Sequence, residues 1–216
     1  MKELKNQKIT KEELDKIYIY SNVKKKIIPQ LINNKDTDNN KLKVKFNDEL
    51  DIIFRIMIIK KDDVISVIVT NELFDYWKIN QDQIYKDALD NLKKIIHVED
   101  LLSLIKNRLK INQKDYKEVI NNVDTNNRIH LCLTNTLKLF GASVILDNEL
   151  METLYNRVGE FIILPSSIHE VIIIKKEKEY EEFREMVKEI NQRELEEKDI
   201  LANDIFTWKD NKVVKL

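Results

Sequence analysis

The sequence predicts an α+β protein whose mixed or antiparallel sheet is flanked by helices, and three observations carry that prediction. Apolar and β-branched runs come in pairs across polar turns, at 51–59 with 64–69 and again near the C-terminus. Amphipathic stretches of helical period, opened by capping residues, are interspersed with them. Phe161–Leu164 and Val171–Ile174 are continuous apolar runs, the pattern of strands covered on both faces.

In chain order, the first helix starts at Thr10, where Thr10 and Glu13 form a capping box. A second helical stretch is expected over 22–32, kinked or broken at Pro29. The polar run "NNKDTDNNK" at 33–41 then reads as a loop, and it separates an N-terminal helical segment, 1–40, from an α+β body, 41–216. Asp51–Ile59, "KKDD" and Val64–Val69 read as a β-hairpin, and Asn71–Trp77 as a helix. Asn80 and Gln83 cap a further helix that lines up Ile84, Ala88, Leu92 and Ile95. Val98, Leu101, Leu102, Ile105 and Leu109 continue with helical spacing. Ile129–Leu133 and Ala142–Leu146 are expected to pair as a second hairpin, followed by a short helix over Asn148–Asn156. Tyr180, Phe183, Val187 and Ile190 mark a last long helix, and the tail folds back around Asp210 and Asn211.

One internal echo links two of these regions. "SVIVTNEL" at 66–73 and "SVILDNEL" at 143–150 differ at two of eight positions. Either a ββα unit is duplicated, or two strand-to-helix corners share the same capping chemistry. In both cases Asn71 and Asn148 lie at or beside the helix N-caps, and Glu72 and Glu149 meet the positive end of the dipole.

Composition narrows the function classes. The chain is 43% hydrophobic and 35% charged, which suits a folded and well-solvated protein. Its 37 basic and 38 acidic residues balance, which argues against a nucleic-acid partner, with only Lys24–Lys26 as a basic cluster. No apolar run approaches the roughly 18 residues of a spanning helix, and no polybasic amphipathic helix suggests a membrane surface. The single cysteine, Cys132, rules out an intrachain disulfide, and the cytoplasm is the expected location. Few Gly and Pro beside abundant Lys, Asn and Ile suggest an AT-rich bacterial or phage genome.

The strings "TNELFDYW" at 70–77, "ASVILDNELM" at 142–151 and "ILPSSIHEVI" at 163–172 resemble, in that order, an uncharacterised clostridial family of domains of unknown function. "NVKKKIIPQLIN" at 22–33 and the stretch 185–206 are similar to the same family, so the resemblance spans residues 20–210. It implies no activity. One departure stands out: the family often carries Gly after the Trp, whereas Lys78 follows Trp77 here, so that helix is expected to end without a Gly cap.

The corner Pro165, Ser166, Ser167, His169 and Glu170 is the foremost candidate binding loop. In an extended strand Ser167 and His169 face one way, and Ser166, Ile168 and Glu170 the other, so a local Ser–His–Glu relay is awkward. A structural turn, with Pro165 fixing φ and Ser hydroxyls bonding backbone, is the first reading. His130 and Cys132 share a strand face, but a lone buried Cys is usually a small core residue. His97, His130 and His169 with Cys132 show no metal-ligand spacing, and no phosphate-binding loop motif is present. No cofactor or metal is expected. Phe74, Tyr76 and Trp77 share a short helix and cannot all face the core, so at least one is expected to be exposed, as at a partner surface. The expectation is a non-catalytic cytoplasmic module, regulatory or carried by a mobile element, that binds a protein or small ligand. The alternative is a small hydrolase with His169 as general base.

Overall fold

The computed structural model describes residues 10–60, 63–101, 115–123, 129–176 and 180–216. Helix α1 (Lys11–Ile17) opens with the expected capping box, Thr10 accepting from the Glu13 N–H and Glu13 reaching back to Thr10 N–H. A single turn, α2 (Tyr20–Val23), leads into β1 (Ile27–Asn33). This corrects the helical reading of 22–32. Pro29 lies inside the strand, opposite Phe54. It is tolerated because β1 is an edge strand, whose outer side needs no ladder N–H.

The first sheet is built around the eleven-residue β3 (Leu50–Lys60). β1 pairs antiparallel along one edge of it; on the other edge β2 (Val44–Lys45) and β4 (Asp63–Ile68) follow end to end. The expected β3–β4 hairpin is thus present, although Lys61 and Asp62 of its turn lie outside the described residues. Helix α3 (Asn71–Trp77) starts at the Thr70 cap, and α4 (Gln81–Leu92) at Asn80, whose side chain accepts from Gln83 N–H as predicted.

The second sheet is antiparallel throughout. It is formed by β5 (Ile96–Asp100), β6 (His130–Asn135), β7 (Phe161–Ser167), β8 (Glu170–Lys175), β9 (Phe206–Lys209) and β10 (Lys212–Lys215), in the order β10-β9-β7-β8-β6-β5. Val98 belongs to β5, opposite Leu133, rather than to a helix, a second correction. The rest of that predicted helix, from Leu102 to Leu109, lies outside the described residues. A third correction concerns 142–146, which form no hairpin with β6: Gly141–Leu146 is a 3-10 helix. The reason is topological, because both edges of β6 are already taken by β5 and β8. Residues 143–146 are consequently 3-10 helix, joined through the extended cap Asp147 to the helix from Asn148, while 66–68 are strand, which ends the idea of a duplicated ββα unit.

Among the described residues the remaining α-helices are α5 (Tyr116–Asn121), α6 (Asn148–Val158) and α7 (Glu181–Glu194). One apolar cluster takes residues from both sheets, among them Phe54 and Ile56 with Phe161, Ile163 and Ile173, and closes against α4 and α6. Ile162, Leu164 and Ile174, on the opposite face of β7 and β8, pack with Val187 of α7. Both faces of this central pair are therefore covered, as their sequence predicts. The tail hairpin turns at Asp210 and Asn211, both with positive φ (51° and 59°), the conformation a tight two-residue β-turn demands.

Candidate functional site

The corner marked by sequence is the turn between the two central strands of the second sheet. Ser167 pairs with Glu170, leaving Ile168 and His169 as the two turn residues. The register shifts between Pro165 and Ser167, so Ser166 drops out of the ladder. Pro165 is accommodated because β9 pairs only with Ile162 and Ile163 and has ended before it. The turn breaks the simple alternation expected of an extended strand. Ile168 does not share the face of Ser166; it is buried in the main core.

Three backbone-directed bonds hold the tip. Ala142 N–H donates to Ile168 O (3.3 Å), Ile168 N–H to Asp199 O (2.9 Å), and Thr134 Oγ1–H to His169 O (2.8 Å). Ser167 Oγ accepts the His169 N–H at 3.0 Å, the local hydroxyl-to-backbone bond expected of a structural turn. Beneath the tip runs Gly141. A Cβ there would lie 2.3 Å from Thr134 Oγ1, 2.5 Å from His169 O and 2.7 Å from Asn135 N, so only glycine fits.

His169 and Glu170 diverge into separate environments. Phe140 N–H donates to His169 Nδ1 at 3.1 Å, and Nε2 lies 3.6 Å from Asp199 Oδ1. The imidazole lies 5.6 Å from the Phe140 ring, tilted to it, and the Arg55 guanidinium sits over that ring at 4.1 Å. Glu170 instead receives Ser166 Oγ–H (3.4 Å) and the Cys132 thiol (3.5 Å). Burial first, and then the neighbouring carboxylate of Glu170, push the Cys132 thiol up to about 12, so it stays protonated at neutral pH. His130 Nδ1 is buried without a hydrogen-bond partner among the described residues. His97 is engaged with Glu99 at 2.6 Å. Among the described residues no group of three or more His, Cys, Asp or Glu side chains is arranged to hold a metal.

A cavity of about 550 Å³ adjoins the corner, with Ile32, Ile168 and Ile200 on its apolar wall and Asn33, Asp36 and Glu197 at its rim. Arg55, Phe140 and Asp199 are the parts of this region that sequence reasoning missed. Two signals were available: Arg55 interrupts the apolar run 52–59, and Phe140 precedes one of only two glycines in the chain. Nothing in the sequence marks Asp199.

The second predicted surface divides as packing requires. Trp77 is buried, its indole N–H donating to Ile17 O at 2.9 Å, Phe74 is half-buried, and Tyr76 is 62% exposed. Tyr76 meets Tyr18 edge to face at 5.2 Å. Leu14, one turn before Tyr18, and Ile19, the next residue along the chain, are also exposed large apolar side chains beside this contact in sequence. The ground beneath it is firm. Tyr20 packs on Trp77 at 5.1 Å and donates to Asp87 of α4, while Lys60 pairs with Glu13 at 2.8 Å.

Two antiparallel sheets sharing one core, with helices packed against them, define an α+β protein. The chain belongs to the family described as "Family of unknown function (DUF5688)", which matches residues 1–210. No curated protein and no solved structure matches it. Among the described residues, no helix is long and apolar enough to cross a membrane.

Proposed function

We propose that this protein is a non-catalytic interaction module of the bacterial cytoplasm that docks a partner protein on the patch formed by Leu14, Tyr18, Ile19 and Tyr76. The observation that carries the reading is the exposure of this patch, with Tyr18 at 48% and Tyr76 at 62%, on elements fixed from below by Trp77, Tyr20 and Lys60. Clustered exposed aromatics on a rigid base are the usual composition of an interface centre.

The chemistry of the corner argues against the hydrolase alternative. A neutral imidazole has one lone pair, and Phe140 N–H already occupies it at Nδ1, which leaves the proton on Nε2 facing Asp199. His169 therefore has no free lone pair with which to take a proton from a nucleophile. Ser167 Oγ is itself an acceptor for the His169 backbone, and the Cys132 thiol faces the Glu170 carboxylate rather than an imidazole.

Photo-crosslinking residues installed at Tyr76 and, as a control, at the exposed Tyr155 of α6 test the reading in living cells. A discrete protein adduct at position 76, absent at 155 and lost on Tyr18→Ser, is expected. Equal or no adducts at the two positions would sink it.

A further inference from the structure

Arg55 sits in mid-strand on β3, between Ile28 of β1 and Ile68 of β4, with Ile53 and Met57 buried on the same strand face. A guanidinium among such neighbours is costly to desolvate unless an anion compensates it. Burial indeed pulls its pKa below that of an ordinary arginine. Among the described residues no carboxylate pairs with it. Its Nε donates to Gln30 Oε1, and its Nη1 to Ser66 Oγ at 2.8 Å. Two of the five guanidinium N–H groups are thus taken and three are left, both of those on Nη2 included.

The group is held in position. Gln30 is buried, Ser66 belongs to the paired strand β4, and the Phe140 ring lies 4.1 Å from the guanidinium carbon. That ring is presented by a loop in which two non-glycine residues are left-handed, Lys138 (φ 53°) and Phe140 (φ 57°). The Asn135 side chain clamps the loop through Leu139 O and Leu137 N–H. Such backbone strain persists only where the surroundings enforce it, and it concentrates where a ligand is gripped. His169 lies against the same Phe140 ring, and Arg55 is only half-buried, so its open end reaches solvent.

We propose that Arg55, framed by Gln30, Ser66, Phe140 and His169, is a binding site for the anionic oxygens of a ligand, a carboxylate or a phosphate group. The remaining donors of the guanidinium can meet two such oxygens at once, a geometry that lysine cannot reproduce. The site is separate from the aromatic patch on α1 and α3 and does not depend on it.

The test is titration of the intact chain with inorganic phosphate and, separately, with N-acetylglycine, at constant ionic strength set by sodium chloride. The side-chain Nε–H resonance of Arg55 is the readout. A saturable shift with a Kd on the order of 1 mM is expected for one small charged group, and whichever anion saturates first identifies the source. Arg55→Lys should weaken it by about tenfold. Arg55→Met should abolish it while melting at or above the native temperature, since a charge kept for a ligand is a stability cost in its absence. No saturable shift with either anion would overturn the proposal. So would an Arg55→Met chain that melts well below the native one while neither anion raises the native melting temperature, because Arg55 would then be structural. If Arg55→Met does not fold, the titration of the native chain still decides.

Discussion

Residues 66–73 and 143–150 carry nearly the same eight letters and do different things. Ser66, Val67 and Ile68 run along the C-terminal half of β3, and Ser66 Oγ accepts from Arg55. Ser143, Val144 and Ile145 coil in a 3-10 helix buried on every side, with Ser143 Oγ donating to Phe140 O at 2.8 Å. Only the second half of the octapeptide behaves alike. Thr70 and Asp147 each cap a helix, accepting from Leu73 N–H and Leu150 N–H respectively. Capping is a bond between residues three apart, so it travels with the sequence. A strand needs a free edge. β3 offers one to 66–68, whereas β6, with both edges paired, offers none to 143–146.

The largest expected effect comes from the residue that lets the second region coil where it does. Gly141→Ala would push a methyl into Thr134 Oγ1 and into the backbone of His169 and Asn135, and those two backbone atoms cannot swing away. We expect a loss of about 3 kcal/mol, read from the urea midpoint. Gly159, the only other glycine, has nothing within 4 Å of its would-be Cβ but a φ of +76°. Gly159→Ala should therefore cost about 1–2 kcal/mol through backbone strain alone. Equal effects at the two sites would contradict the view that packing distinguishes them.

Next come the caps themselves. The Asp147 side chain is buried, its bond to Leu150 N–H is 2.7 Å against 3.2 Å for Thr70 to Leu73 N–H, and its carboxylate faces the dipole of an eleven-residue helix. Asp147→Ala should cost about 2 kcal/mol and Thr70→Ala about 1 kcal/mol in chemical denaturation. The reverse order would mean that the buried Asp147 Oδ2, which has no hydrogen-bond partner among the described residues, already offsets the cap.

A direct way to break the comparison is to make the two octapeptides identical. Val69→Leu with Thr70→Asp turns 66–73 into the sequence of 143–150. Val69 is fully buried, and its N–H donates to Phe54 O at 2.9 Å, so the added methylene should cost about 1 kcal/mol. The amides of 66–69 should keep the exchange protection of a strand. Helical chemical shifts there would show that local sequence, not the available edge, decides.

The same distinction explains what could be read from the letters. The capping box at Thr10, the Asn80 cap, the β3–β4 hairpin and the doubly covered β7–β8 pair depend on patterns spanning a few residues, and each was legible. β1 was not, because "IIPQLI" satisfies helical and strand spacing alike, and Pro29 signals a helix break unless the strand is known to be an edge. β5 was hidden because Val98 and Leu101 fit a helical period, and only the pairing with β6 settles it. At the corner, the turn, the Ser167 bond and the divergence of His169 from Glu170 were readable. Arg55 and Asp199 were not, since they lie far along the chain and only the fold brings them near.

The ends of the two helices that follow these octapeptides give the smallest effect and a sharper test. α6 closes on Gly159, whereas α3 closes on Lys78, a left-handed residue at φ 52° and ψ 38°. A side chain in that region brings its Cβ close to backbone, a strain glycine does not feel. Lys78 is exposed, and only its backbone N–H, bonded to Asp75 O at 3.3 Å, contributes to the cap. Glycine retains that N–H, so Lys78→Gly removes the strain and leaves the bond. The greater freedom of glycine in the unfolded chain offsets part of the gain. We expect a net stabilisation of about 0.5 kcal/mol, followed by the fluorescence of the adjacent, buried Trp77 during thermal unfolding. A lower melting temperature would mean that the Lys78 side chain contributes more than its backbone conformation costs. Position 78 would then be tuned for the side chain beside the Tyr76 patch rather than for ending the helix.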